Sequence, residues 1–82
     1  MPKPTSLSGK KNLISQRLIE LRRINGLSQR DLARRLQLAG YDIDKNVITR
    51  IENNKRYVSD IEIKAFASVF HVSYNFLIDG IE

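Results

Sequence analysis

The feature that most constrains the fold is a helix-start signal that recurs four times along the chain. Each copy places a Ser or Asp, residue types that cap helix N-termini, directly after one apolar residue and four positions before another. The two apolar residues form a hydrophobic staple, which fixes the angle at which the chain enters the helix. In two copies an acidic residue three positions after the Ser adds a capping box. The four copies are Leu27–Ser28–Leu32, Ile43–Asp44–Ile48, Val58–Ser59–Ile63 and Val72–Ser73–Leu77.

A further helix precedes these four. Ile14, Leu18 and Leu21 follow the spacing of one buried helix face and predict a helix over residues 12–25. Gly26 then stands where a left-handed C-terminal cap belongs.

The apolar residues of the last two helices predict a shared core. Ile63, Phe66, Ala67 and Phe70 fall on one face of the fourth helix, and Phe76, Leu77 and Ile81 are expected to cover the same core. No segment alternates apolar and polar residues long enough to predict a strand. The sequence therefore predicts an all-α fold of five short helices.

Positive charge is concentrated in the first half of the chain. Residues 1–40 carry nine Lys or Arg against two acidic residues, whereas residues 41–82 carry five basic and seven acidic residues. A basic surface favours a polyanion such as nucleic acid, although a merely solvated surface explains the same charge. Residues 1–11, with two Pro and three Lys, predict a flexible basic arm, and residues 12–82 predict one domain.

The third helix, at about residues 44–53, carries the strongest functional signal. Ile48 and Ile51 define an inward face, and the opposite face presents polar side chains. Arg and Lys suit guanine, Asn suits adenine, and Thr suits a thymine methyl group or a phosphate. We therefore expect this helix to read base edges in a DNA major groove. The predicted base contacts are Lys45, Asn46, Thr49 and Arg50.

Residues 13–78 resemble the helix-turn-helix domain of the Cro and phage-repressor family of bacterial regulators. The matching runs are Leu21-Arg22, Gly26-Leu27-Ser28-Gln29, Asp31-Leu32-Ala33 with Leu36, Ile48-Thr49-Arg50-Ile51-Glu52, Asn53-Asn54-Lys55-Arg56, and Val72-Ser73 with Leu77-Ile78. The resemblance implies a compact five-helix bundle of the lambda-repressor-like DNA-binding type. It also implies that the third helix is the recognition helix.

The resemblance assigns further roles outside the base-reading face. Residues at the start of the second helix and directly after the third are expected to contact DNA phosphates, which position the protein without reading sequence. Glu52 is expected to form a structural salt bridge with Arg22 and not to act as a catalytic carboxylate. The predicted phosphate contacts are Gln29, Arg30, Asn53, Asn54, Lys55 and Arg56.

The sequence departs from the family pattern at one turn. The family connects the second helix to the recognition helix by a tight turn, whereas here residues 37–43 lengthen the connection. We expect the second helix to run a little further before Gly40 breaks it. The longer turn is either a sensor site or a spacer. Asn54 replaces the Gly that the family prefers after the recognition helix, and Asn tolerates the left-handed conformation required there.

Together these features predict a sequence-specific, double-stranded DNA-binding transcriptional regulator. A repressor is favoured over an activator, because so small a chain leaves little room for a surface that contacts polymerase. The resemblance also implies a homodimer on a two-fold operator, with Phe76, Ile78 and Ile81 as candidate contacts. The alternative is a protein-interaction module, such as an antitoxin of the same fold.

The sequence supports several further expectations. The chain has no Cys, no Gly-rich phosphate loop and no cluster of metal-ligand residues, so we expect no enzyme activity, cofactor or metal. No apolar run is long enough for a membrane span and no secretory signal is recognisable, so the expected location is the cytoplasm. His71 is expected to support the end of the fourth helix. Arg34 and Arg35 are expected to be solvated or to approach DNA. Lys3, Lys10 and Lys11 are expected to contact phosphates or a minor groove, or to belong to a plain disordered tail.

Overall fold

The computed structural model describes residues 10–81, and within this range it contains five α-helices and no strand. The predicted all-α, five-helix architecture is therefore confirmed. Of the predicted basic arm, residues 1–9 lie outside the described residues. In chain order the helices are α1 (Ser15–Ile24), α2 (Gln29–Leu38), α3 (Lys45–Glu52), α4 (Asp60–Phe70) and α5 (Tyr74–Asp79).

All four predicted helix caps are formed. Each capping side chain accepts a hydrogen bond from the backbone N–H three residues further on, and the capping residues are Ser28, Asp44, Ser59 and Ser73. In α2 and α4 the acidic residue also bonds back to the cap, so both capping boxes are complete. These bonds satisfy N–H groups that have no partner inside the helix, and they fix where each helix begins.

The first helix starts later than predicted, at Ser15 instead of Asn12. The side-chain oxygen of Asn12 accepts the N–H groups of Ile14 and Ser15 at 3.1 and 2.9 Å. Its amide group donates to the backbone oxygens of Ile51 and Arg56 at 3.1 and 3.0 Å. Asn12 is buried, and these four bonds hold it outside the helix, since a short polar side chain competes with helical hydrogen bonding.

Every helix in the described range is followed by a residue in the left-handed conformation. These residues are Gly26, Gly40, Asn54, His71 and Gly80. As predicted, Gly26 ends α1, and Asn54 adopts the conformation for which the family prefers Gly. His71 supports the end of α4 through its backbone, which turns the chain so that the N–H of Val72 reaches the oxygen of Ala67 at 3.1 Å.

The longer connection between α2 and α3 packs onto the core. As expected, α2 continues past Leu36 to Leu38 before Gly40 breaks it. The N–H of Tyr41 bonds to the oxygen of Leu36 at 2.9 Å, and the buried Ile43 and half-buried Tyr41 contact the core. The two helices still pack directly on each other. The extra residues therefore leave α3 anchored at its start.

One hydrophobic core joins all five helices, and Phe66 and Leu77 are fully buried within it. Phe70 and Phe76 are partly buried and pack against this core. The expectation that Ile81 covers the core is wrong, because Ile81 follows the turn at Gly80 and is 65% exposed.

An ion pair at the start of α4 generates a prediction about acid stability. Burial raises the pKa of Glu62, but hydrogen bonds from Arg56 at 2.7 Å and from the backbone N–H of Ser59 at 2.9 Å outweigh it. The pKa of Glu62 is therefore lowered from its usual value of 4.5. Ionised Glu62 stabilises the folded state above its unfolded pKa, and this stabilisation is lost as the pH falls through the folded pKa.

We expect Glu62→Gln to be less stable than the wild type at neutral pH, with the difference shrinking as the pH falls through the lowered pKa of Glu62 in the folded state. Urea denaturation at neutral and at acid pH measures the free energies of unfolding of the two proteins. Glu20→Gln is the matched control, because the side chain of Glu20 is exposed and forms no hydrogen bond or ion pair with any described residue. A stability difference that persists unchanged in acid would contradict the assignment.

Candidate nucleic-acid interface

The polar face of α3 is opposite its buried face. Ile48, Ile51 and Glu52 are buried, whereas the four predicted base-contacting residues fall within an arc of about 140° on the other side of the helix. The side chains of three of the four are exposed and form no hydrogen bond or ion pair with any described residue. These three are Lys45, Asn46 and Arg50. Their polar groups are therefore available to a ligand.

The side chain of Thr49, the fourth residue of this face, is already hydrogen-bonded within the protein. Its hydroxyl lies 2.7 Å from the side-chain oxygen of Gln29 and 2.9 Å from the backbone oxygen of Lys45, and it has one hydrogen to donate to them. The methyl group and the oxygen lone pairs remain. Of the contacts predicted for Thr49, an apolar contact with a thymine methyl group fits this arrangement.

Behind the polar face, Arg22 and Glu52 form a two-pronged ion pair. The guanidinium contacts both carboxylate oxygens, at 2.8 and 3.1 Å, and donates a third bond to the backbone oxygen of Leu27 at 3.0 Å. The bond to Glu52 raises the pKa of Arg22, although burial opposes this shift. The side chain of Glu52 is 4% exposed, so the pair lies largely out of water. The structure thus brings together Arg22 and Glu52, the two residues for which the resemblance implies a salt bridge.

Gln29 extends this pair into a chain of hydrogen bonds across three helices. Its amide donates to Glu52 at 2.9 Å, and its side-chain oxygen accepts from Thr49. The hydrogen bonds thus connect Arg22 on α1 and Gln29 on α2 to Glu52 and Thr49 on α3. One amide hydrogen of Gln29 is still free to donate, which leaves room for the predicted phosphate contact.

The other predicted phosphate contacts fall into two groups. The side chains of Arg30, Asn53 and Lys55 are exposed and have no partner among the described residues. Asn54 uses both lone pairs and both amide hydrogens on Lys11, Asn12 and Ser15. Arg56 contacts Glu62 and the backbone oxygen of Tyr57. The internal bonds of Asn54 disfavour it as a phosphate ligand, and the ion pair with Glu62 offsets the charge that Arg56 would present to a phosphate.

Sequence reasoning missed Asn12, which joins the start of α1 to the end of α3. A signal was present, because Asn two positions before the first buried apolar residue is more typical of a cap than of a helix interior. Its partners at Ile51 and Arg56, however, lie far along the chain and no local pattern indicates them.

Within residues 10–81, all buried side-chain N and O atoms have a hydrogen-bond partner. No group of three or more His, Asp or Glu side chains in this range is arranged to hold a metal ion. No helix in the same range is long and apolar enough to cross a membrane.

The chain was compared with models of known protein families. The Helix-turn-helix family model matches residues 18–77. The chain belongs to this family. The resemblance to the Cro and phage-repressor type is thus confirmed. Helix-turn-helix domains of this type bind DNA and regulate transcription. In chain order, α2 and α3 are the two helices on either side of the turn.

Two solved structures are similar to this helix-turn-helix domain. One is the restriction-modification controller protein C.AhdI from Aeromonas hydrophila, with 34% identity, a TM-score of 0.65, and coverage of 78% of this chain and 86% of that chain. The other is the hypothetical transcription factor NHTF from Neisseria, with 19% identity, a TM-score of 0.72, and coverage of 94% and 86%. At that identity the second likeness shows the fold alone. No curated protein sequence matches the chain.

The buried ion pair generates a prediction about stability. We expect Glu52→Ala to lower the free energy of unfolding by about 3 kcal/mol, because it leaves the partly buried Arg22 unpaired and removes the acceptor of Gln29. Urea denaturation at neutral pH measures the change. Glu20→Ala, which removes an exposed carboxylate on α1, is expected to have a much smaller effect. Equal stability of the two variants would refute the structural role of Glu52.

Proposed function

We propose that this helix-turn-helix domain binds a specific double-stranded DNA operator, with α3 in the major groove. The observation that carries the proposal is the division of α3 into two faces. One face is buried and held by the ion pair at Glu52, and the other presents cationic and amide groups without internal partners. A rigid helix with free donors and acceptors on its outer face is suited to reading base edges.

The proposed base contacts follow from the chemistry of each side chain. Arg50 and Lys45 suit the O6 and N7 acceptors of guanine, and Asn46 suits the N6 and N7 atoms of adenine. Thr49 contributes its methyl group to thymine. Because Arg presents a planar fork, Arg50 is the side chain expected to discriminate most strongly between bases.

Phosphate contacts are proposed on both sides of this face. Arg30 and the free amide hydrogen of Gln29 lie at the start of α2, while Asn53 and Lys55 directly follow α3. Contacts at both places fix how the helix is seated in the groove. The exposed side chains of Arg30 and Lys55 add positive charge that favours the DNA backbone.

We propose that the bound domain represses transcription. A protein that occupies the major groove at a promoter excludes polymerase without needing a further contact. C.AhdI, to which the chain is 34% identical over the 78% of its length that is covered, is named a controller protein. A role in controlling transcription is consistent with that likeness.

We also propose that two copies of the chain form a symmetric dimer through α4 and α5. A groove of about 460 Å³ there exposes Ile61, Tyr74 and Ile78, with Asp60 and Lys64 also in its lining. In a two-fold interface a patch meets its own copy, so a patch that carries both an acidic and a basic residue can pair opposite charges twice. Of the other predicted dimer contacts, Ile81 is exposed, whereas Phe76 packs against the core.

Selection from a random duplex pool, followed by fluorescence anisotropy, tests the operator proposal. We expect one enriched motif, and we expect Arg50→Ala to weaken binding to it about 5- to 150-fold, which corresponds to about 1–3 kcal/mol, and to relax the preference at one position. Arg35→Gln is the charge control, because Arg35 lies about 140° around α2 from Arg30. Sequence-independent binding would overturn base reading by α3, and an absence of binding would favour a protein-interaction role.

Sedimentation equilibrium tests the dimer. We expect wild-type protein to dimerise and Ile78→Glu to remain monomeric, because the substitution places one carboxylate of each copy in an apolar interface. Leu38→Glu is the matched control, since Leu38 is 81% exposed but lies outside the groove. If both variants dimerise like the wild type, the α4–α5 interface is wrong.

A further inference from the structure

The residues that precede α1 are held against the end of the recognition helix. The side-chain oxygen of Asn54 accepts the backbone N–H groups of Lys11 and Asn12 at 2.7 and 3.0 Å. Its amide group donates to the backbone oxygen of Asn12 at 3.3 Å and to the hydroxyl of Ser15 at 3.0 Å. The side chain of Asn54 therefore forms hydrogen bonds with three residues that are about forty positions away along the chain.

The side chain of Asn12 adds further hydrogen bonds between the residues before α1 and the end of α3. Its amide donates to the backbone oxygens of Ile51, in the last turn of α3, and of Arg56. Asn12 is 8% exposed, so water competes little for these bonds. We refer to these bonds of the Asn54 and Asn12 side chains as the paired-amide clamp. The clamp fixes the backbone of Lys11 beside the turn that follows α3.

The side chain of Lys11 is positioned but accessible. Its ammonium group lies 5.9 Å from the centre of the Tyr57 ring, within the range of a cation–π contact. Lys11 is exposed, as are Asn53 and Lys55 in the adjoining turn. Because the N–H of Lys11 bonds to Asn54, which lies between those two residues, its side chain extends from the same part of the surface.

We propose that Lys11, held by the paired-amide clamp, is a further phosphate-binding element of the DNA interface. This proposal rests on the proposed function, because it requires α3 to lie in the major groove. The turn after a recognition helix lies near the sugar–phosphate backbone, where a lysine ammonium binds as a point charge. Since the clamp orders the backbone before DNA binds, less conformational entropy is lost on association.

The salt dependence of operator binding tests the contact. Lys11→Gln removes the charge but keeps the backbone N–H that bonds to Asn54. We expect the slope of log Kobs against log salt to become shallower by about 0.9, and affinity at 0.1 M salt to fall about eight-fold, for each bound copy. The selected base motif should not change, because phosphate contacts carry no base information. Arg35→Gln, with the same change in net charge, is expected to keep the wild-type slope.

Asn54→Gly tests the clamp separately. Gly adopts the left-handed conformation recorded at this position, with a φ of 59°, so the turn after α3 is retained. The substitution removes all four side-chain bonds. We expect a lower melting temperature, an unchanged base motif, and a loss of affinity similar to that of Lys11→Gln when binding is measured well below the melting temperature.

The outcomes separate this inference from the proposed function. A wild-type protein that binds no operator overturns both. An operator-binding protein whose affinity and slope are unaffected by Lys11→Gln overturns only the lysine contact. If Lys11→Gln weakens binding but Asn54→Gly retains wild-type affinity, the clamp is not the positioning device.

Discussion

The arrangement of the three helices at the interface depends on the ion pair between Arg22 and Glu52. Glu52 is nearly excluded from water, so its charge must be matched inside the protein. Arg22 supplies that match from α1 and Gln29 adds a bond from α2. The pairing therefore sets the position of α3 relative to both helices. Because Thr49 bonds to Gln29, the same network reaches the face proposed to read DNA.

A second set of polar contacts fixes the start of α1 against the end of α3. The backbone of Asn12, just before α1, and the side chain of Asn54, just after α3, exchange hydrogen bonds, and the side chain of Asn12 donates to Ile51. All of these groups are uncharged. The recognition helix is thus held by an ionic network and by a neutral one. Of its outer side chains, Lys45, Asn46 and Arg50 have no internal partner among the described residues, so they can bind a ligand without first breaking bonds.

Much of the fold could be predicted because its signals are local. The cap and staple at Ser28 or Ser59 involve residues within one turn of each other, and each forms as expected. The start of α1 could not be placed in this way. Asn12 leaves the helix because its bonds to Ile51 and Arg56 outweigh another helical turn, and those partners are distant in sequence. The same reason explains why Asn54, expected at the DNA, is bonded internally.

The sequence by itself determined the number of helices, where four of them begin, and which residues of α3 share an outer face, since all of these follow from helical periodicity and capping. The tertiary structure alone decided which polar side chains remain available. Arg56 and Lys55 are neighbours of the same charge, yet Arg56 meets Glu62 while Lys55 stays exposed. That difference arises from how α4 packs, because a side chain's free hydrogen-bonding capacity depends on partners brought close only by folding.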